Sequence, residues 1–322
     1  MKYGLTNIFI DQPLSLILSI FLILGVSKLG IIFQTYIKKK YNIEYLSDYF
    51  FSPIFGTYIL IFFLYPLTLF SLLNYFFFKI IASILIFLGL LFLFEFTKKF
   101  SKKKVEKLKK NYLLAISFFF LFLIAASPIT HADSLAYHLT SASHILFNGG
   151  FNTEIIPFED KLSGSGEIII AIGLSYGLQQ FGSLIQFSSL FSLIPIFNIN
   201  KIKNSNLNFI LILLFTPITL FLISSPKPQL MPTMASLIVF SFLFKNFLKN
   251  SQNKNIYNSI LICILLINFS VKFSFILSSF ILFVILIYQN FKIKNLNKFI
   301  FLGVCIFTYL VFPNFIFRIV NL

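Results

Sequence analysis

Ten apolar runs constrain this chain more than any motif does. They lie at about 14–37, 51–73, 75–96, 111–128, 182–199, 207–225, 230–248, 256–271, 273–290 and 299–317. An α-helix needs roughly 20 apolar residues to cross the ~30 Å hydrocarbon layer of a bilayer, and these runs are of that length. A backbone inside lipid must satisfy its own hydrogen bonds, which a helix does without a partner. Charged residues make up only 11% of the 322 residues, against about 25% in soluble domains, so a soluble globular chain is excluded. The fold class predicted is an all-α polytopic membrane protein with about ten transmembrane helices. The first run lacks a small-residue cleavage pattern and exceeds a signal-peptide core, so it reads as a retained span.

A formal net charge of +16 invites a nucleic-acid partner, but the basic residues sit between membrane-length runs and report sidedness instead. Nineteen of the 25 lysines fall in clusters at 38–40, 98–110, 201–203, 245–254 and 292–298. The stretch 166–181 is short for a span. If it does not cross, every cluster falls on one side, as the positive-inside rule requires. It therefore reads as a re-entrant or interfacial segment, with the loop 129–166 and both chain ends on the outer face. Residues 1–110 hold three spans and a basic inner loop; residues 111–322 begin with the fourth span and carry that outer loop. The 47 Phe, the absence of Trp and the single Arg (Arg318) follow from A/T-rich codon usage. Cys263 and Cys305 lie inside apolar runs without metal-ligand spacing and read as small apolar fillers.

Acidic and imidazole groups show the complementary pattern. Five of the ten carboxylates (Asp133, Glu154, Glu159, Asp160, Glu167) and all three histidines (His131, His138, His144) lie in or beside the outer loop. Ionisable groups are costly near hydrocarbon and mark function there. Residues 133–147 have helical periodicity: Asp133, Tyr137, Thr140, Ser141 and His144 share a polar face, opposite Leu135, Leu139, Ala142 and Leu146. The spacing predicts an amphipathic helix lying flat at the membrane surface, stopped by Asn148-Gly149-Gly150. Asp133 at its start reads equally as an N-cap and as a general base or metal ligand, roles that are compatible. The histidines are seven and six residues apart, not the i, i+4 of a helical zinc site, so no three-His metal site is expected. Glu154 and Glu159 read as solvated loop acids. Glu167 opens an apolar segment, where it suits a helix N-terminus or completes an acidic pocket with Asp133. On the same side lie Lys227, Lys272 and Arg318, cations suited to headgroups or to a lipid phosphate.

The run Asp133-Ser134-Leu135-Ala136-Tyr137-His138-Leu139, the Asn-Gly-Gly stop, the aromatic and Pro-containing stretch and Gly166-Glu167 opening an apolar segment together resemble the first outer loop of GT-C glycosyltransferases. The likeness covers about residues 111–322, and the nearest relatives it implies are similar to dolichyl-phosphate-mannose protein mannosyltransferases. It implies a GT-C-like fold and inverting transfer of a sugar from a polyprenyl-phosphate-linked donor. The acceptor would be a glycan, lipid or protein at the outer, periplasmic face of a bacterial inner membrane. Asp133, His138 and Glu167 take catalytic roles in this reading, while Tyr137, His144, Asp160, Lys227, Lys272 and Arg318 bind substrate. Two departures stand out. Ser134 replaces the second acid of the family's adjacent pair, which leaves a divalent cation (Mg or Mn), held by Asp133 and Glu167 if at all, as an open requirement. The family also continues beyond the position of Leu322, so the chain is expected to be the N-terminal portion of a longer protein. Competing classes are a lipid-linked sugar flippase or transporter and a surface-polysaccharide polymerase or ligase. Absence of repeats and concentration of acids in one outer loop argue against the transporter.

Overall fold

The computed structural model describes residues 9–41, 43, 46, 48–99, 112–132, 134–151, 164–199, 205–244, 254–290 and 296–310, and among them it contains helices and turns but no strand. Three long helices come first: α1 (Leu14–Tyr41), α2 (Ser52–Leu69) and α3 (Tyr75–Lys99). All three are long and apolar enough to cross a membrane. Lys38, Lys39 and Lys40 close the last turn of α1, where cations complement the helix dipole. Pro53 sits in the first turn of α2, where its missing N–H costs nothing.

Lipid tails are as apolar as leucine, so helices of this kind associate through close packing of small residues. Gly25, on α1, faces the Leu85 carbonyl of α3 so closely that a Cβ would lie 1.8 Å from its oxygen. Gly89 of α3 meets the Phe21 carbonyl of α1 in the same way, and Lys28 of α1 pairs with Glu95 of α3 at 2.6 Å. The outward face of α3 is apolar: Phe76 is 69% exposed and Phe87 and Phe94 are each 60% exposed. Such a surface needs a hydrocarbon solvent, and the chain is a membrane protein on that ground.

The remaining helices have at most 18 residues. They are α4 (Tyr112–Ala126), α5 (Leu139–Asn148), α6 (Gly166–Leu174), α7 (Phe181–Ser189), α8 (Leu193–Ile199), α9 (Ser205–Leu214), α10 (Pro217–Ile223), α11 (Leu230–Phe244), α12 (Lys254–Val271), α13 (Ile276–Asn290) and α14 (Leu296–Leu310). The run 207–225, expected as one span, is broken into α9 and α10. Pro217 cannot continue a helix, and Thr216 caps the new one by accepting from the Thr219 N–H.

One end of the bundle gathers the start of α1, the α2–α3 turn and the C-terminal ends of α5 and α6. Ile10 N–H donates to the Gly177 carbonyl, Ser15 to Gln180, and the Tyr75 hydroxyl to the Ser175 carbonyl. Gly149, with φ of 75°, backs onto the Leu73 carbonyl. The opposite ends of α5 and α6 lie deeper. Gly166 packs on Pro228 and Val271, beside a small cavity also lined by Thr57, Tyr58 and Ile61 of α2. Tyr58 and Ile61 precede Leu69 by 11 and 8 residues, or about 12–16 Å along the helix axis. Nine residues long, α6 covers only about 13 Å. It runs from that depth back to the crowded end.

Candidate functional site

The deep ends of α5 and α6 meet at His138 and Glu167. A π-helical turn, Ser134–His138, leads into α5, and such wide turns recur at functional sites. The turn resets the phase that a uniform α-helix would have. Ser134, Tyr137 and His138 are buried along with Leu139, Ala142, Ile145 and Leu146. The helix therefore does not lie flat with a watery polar face, as its periodicity predicts; it is packed on both sides, mainly against α6. The His138 Nδ1 lies 3.0 Å from the Glu167 Oε1, with the two side chains 2% and 1% exposed. The other carboxylate oxygen, Oε2, accepts from the Gly164 N–H at 2.8 Å. The Ser165 N–H donates to the Ser270 carbonyl at 2.9 Å, which ties this loop to the end of α12.

Two lysines complete the cluster. Lys272 occupies the turn after α12, outside either flanking helix. Burial pushes its ammonium below the ordinary lysine value, Glu167 pulls it back up, and Lys227 pushes it down further. Lys227 is buried in the turn before α11, its Nζ 4.7 Å from the Phe221 ring centroid. The His131 ring meets the same Phe221 edge-on at 4.9 Å, and its Nε2 lies 2.9 Å from the Ser224 Oγ. Tyr137 stacks obliquely on His138 with centroids 4.3 Å apart. The hydroxyls of Ser134 and Ser225 are fully buried and have no hydrogen-bond partner among the described residues. Chemically, the cluster offers a carboxylate-bound imidazole for proton transfer and two ammonium groups for an anion.

A divalent cation does not fit at Glu167. One Glu167 oxygen accepts from the Gly164 N–H and the other lies 3.0 Å from the His138 Nδ1, and the Lys272 ammonium, which interacts with this carboxylate, would repel a second cation. No group of three or more His, Cys, Asp or Glu converges among the described residues.

A family model described as the DUF1420 N-terminal domain matches residues 1–122 and 102–322, which together take in the whole chain. The chain belongs to the DUF1420 family. No curated protein and no solved structure matches it. Membership in DUF1420 carries no activity with it, so the chemistry of this DUF1420 chain rests on its own side chains.

Of the residues singled out in the sequence, His138, Glu167, Tyr137, Lys227 and Lys272 come together. His144 does not join them. It sits at the far end of α5, about 9 Å along the axis from His138, with its Nδ1 3.3 Å from the Gly150 carbonyl oxygen and its Nε2 2.7 Å from Asn148. Asp133, Glu154, Glu159, Asp160 and Arg318 lie outside the described residues. Sequence reasoning missed Ser224 and Phe221 beside His131, the buried Ser225, and Ser270, which pairs with Ser165. The signal was present: Ser-Ser-Pro-Lys-Pro at 224–228 and Asn-Phe-Ser-Val-Lys at 268–272 are polar interruptions of apolar runs.

Proposed function

We propose that this DUF1420-family chain is a membrane glycosyltransferase of GT-C type that moves a sugar, with inversion, from a polyprenyl-phosphate-linked donor to an acceptor at the outer face. The observation that carries the reading is a buried carboxylate–imidazole pair beside two lysines inside an otherwise apolar helical bundle. Ionisable groups in such surroundings are costly and are kept for function. Ten crossings, with 166–181 not among them, belong to this reading, as does the outer-face position of the loop 129–166. Asp133, His138 and Glu167 are assigned to the acceptor hydroxyl. Lys227, Lys272 and Arg318 are assigned to the negative charge that builds on the departing phosphate, where fixed cations lower the barrier most. Glycosyl transfer passes through an oxocarbenium-like state that needs both kinds of group at once.

One observation favours a second reading. Glu167 and His138 lie roughly 12–16 Å below the crowded end of the bundle, near the level at which transporters bind their cargo. A lipid-linked sugar flippase is therefore retained as the alternative. The assay that separates them uses the intact chain in liposomes containing radiolabelled polyprenyl-phosphate hexose or pentose, with and without chelator. Label appearing on a water-soluble or lipid acceptor, and lost in Asp133→Ala, supports the transferase. Movement of intact donor between leaflets without glycosyl transfer refutes it in favour of the flippase.

A further inference from the structure

We propose that His138, rather than Glu167, presents the proton-accepting atom of this site, its Nε2, and that Glu167 is a positioning residue which fixes the imidazole tautomer. The proposal rests on the transferase reading for its substrate and on hydrogen-bond geometry for its assignment of roles.

One oxygen of Glu167 accepts from the Gly164 N–H at 2.8 Å, and the other lies within hydrogen-bond distance, 3.0 Å, of the His138 Nδ1. An ionised carboxylate has no proton to give, so the proposal puts the hydrogen on Nδ1. In a neutral imidazole the lone pair then sits on Nε2. No described group takes that nitrogen, although the side chain is only 2% exposed. Carboxylate–imidazole pairs of this form serve two chemistries: proton abstraction and metal ligation. Lys272 decides between them here, because its ammonium interacts with Glu167, and Lys227 adds a second positive charge next to Lys272. Positive neighbours oppose a metal ion at Nε2 but favour the anionic donor and the anion that leaves it.

The Ser134 hydroxyl, fully buried and without a hydrogen-bond partner among the described residues, lies in the π turn that ends in His138. Among the described residues neither this hydroxyl nor Nε2 has a hydrogen-bond partner, and an incoming acceptor hydroxyl would supply one. In the step proposed, the acceptor O–H gives its proton to Nε2 as its oxygen bonds to the anomeric carbon. The bond from that carbon to the phosphate oxygen breaks, and its electron pair leaves with polyprenyl phosphate. The imidazolium formed is held by Glu167 and later releases its proton to water.

The test begins with the unreacted protein. In a His131→Asn/His144→Asn background, nitrogen-15 NMR of labelled His138 at neutral pH is expected to show Nδ1–H, and Glu167→Gln is expected to shift the ring toward Nε2–H. An Nε2–H tautomer or an imidazolium in the unsubstituted site overturns the proposal. In the transfer assay, His138→Ala is expected to lower kcat by about 10²–10⁴-fold with little change in KM. Glu167→Gln should lower kcat in the same sense, with Glu167→Asp partly restoring it. Wild-type kcat in His138→Ala overturns the proposal. If the unsubstituted chain transfers no sugar but shows Nδ1–H, the transferase reading fails while the tautomer assignment holds.

Discussion

Gly56→Ala should separate the long helices at the head of the bundle. A methyl group at Gly56 would lie 1.9 Å from the Val26 carbonyl oxygen and 2.7 Å from its carbon. Carbon–oxygen contacts normally begin near 3.3 Å, so α1 and α2 must part by about 1.4 Å or shift along their axes. Backbone atoms form the obstacle, and no rotamer change relieves it. The same approach brings Gly30 of α1 onto Ser52 and the Gly56 nitrogen, so separation would loosen both contacts together. Overpacking of this kind costs about 1–3 kcal/mol, while replacing glycine by alanine in a helix returns about 1 kcal/mol. The clash is against backbone, which puts the cost at the upper end, so the net loss expected is about 2 kcal/mol, or roughly 30-fold in the folded-to-unfolded ratio. Gly303→Ala is the matched control. Its methyl group would meet Phe283 at 3.6 Å, an ordinary contact, so helix propensity alone decides and the change should be neutral or stabilising by up to about 1 kcal/mol. Far-UV circular dichroism during heating, with monodispersity checked in the same detergent, reads both. Equal shifts for the two variants, or a Gly56→Ala protein as stable as wild type, would refute the packing argument.

Two further expectations concern charge and sidedness. Lys272→Met should raise the thermal midpoint at neutral pH. The folded chain holds the Lys272 ammonium below its ordinary value of 10.5, so the unfolded chain binds that proton more readily and stability rises with pH through this window. The gain from Lys272→Met should therefore shrink as pH approaches the ordinary lysine value, and a gain independent of pH would contradict the electrostatic origin. In a Cys263→Ser/Cys305→Ser background, Lys40→Cys and Asn148→Cys should react with a membrane-impermeant maleimide from opposite sides. Both positions are exposed, and they lie at opposite ends of the bundle. Labelling from one side alone would break the sidedness derived from the lysine clusters.

The residues that formed the cluster were partly readable in advance, and the reasons differ by residue. Glu167 opens a short apolar segment after a Gly/Ser run, a pattern that already marks a helix start with an acid in its first turn. Lys272 and Lys227 interrupt apolar stretches, and a cation there needs a purpose. The orientation of His138 was not readable. Periodicity at 100° per residue put His138 on neither face of the helix, and its pairing with Glu167 comes from the packing of α5 on α6. His144 was grouped with the site by that same periodicity, yet the axial rise of α5 carries it to the other end of the helix.

By itself, the sequence determined the helical class, the membrane environment and the region where charge would concentrate. Those properties follow from run length, composition and the placement of charge, which are local or summed along the chain. Tertiary structure alone decided depth and partnership. That α6 begins about 12–16 Å below the crowded end, that Glu167 spends both oxygens on Gly164 and His138, and that Lys227 and Lys272 arrive from turns 45 residues apart all depend on which helices pack together. That packing is set by close backbone approaches such as Gly25 on Leu85, and no hydropathy pattern encodes which carbonyl a glycine will meet.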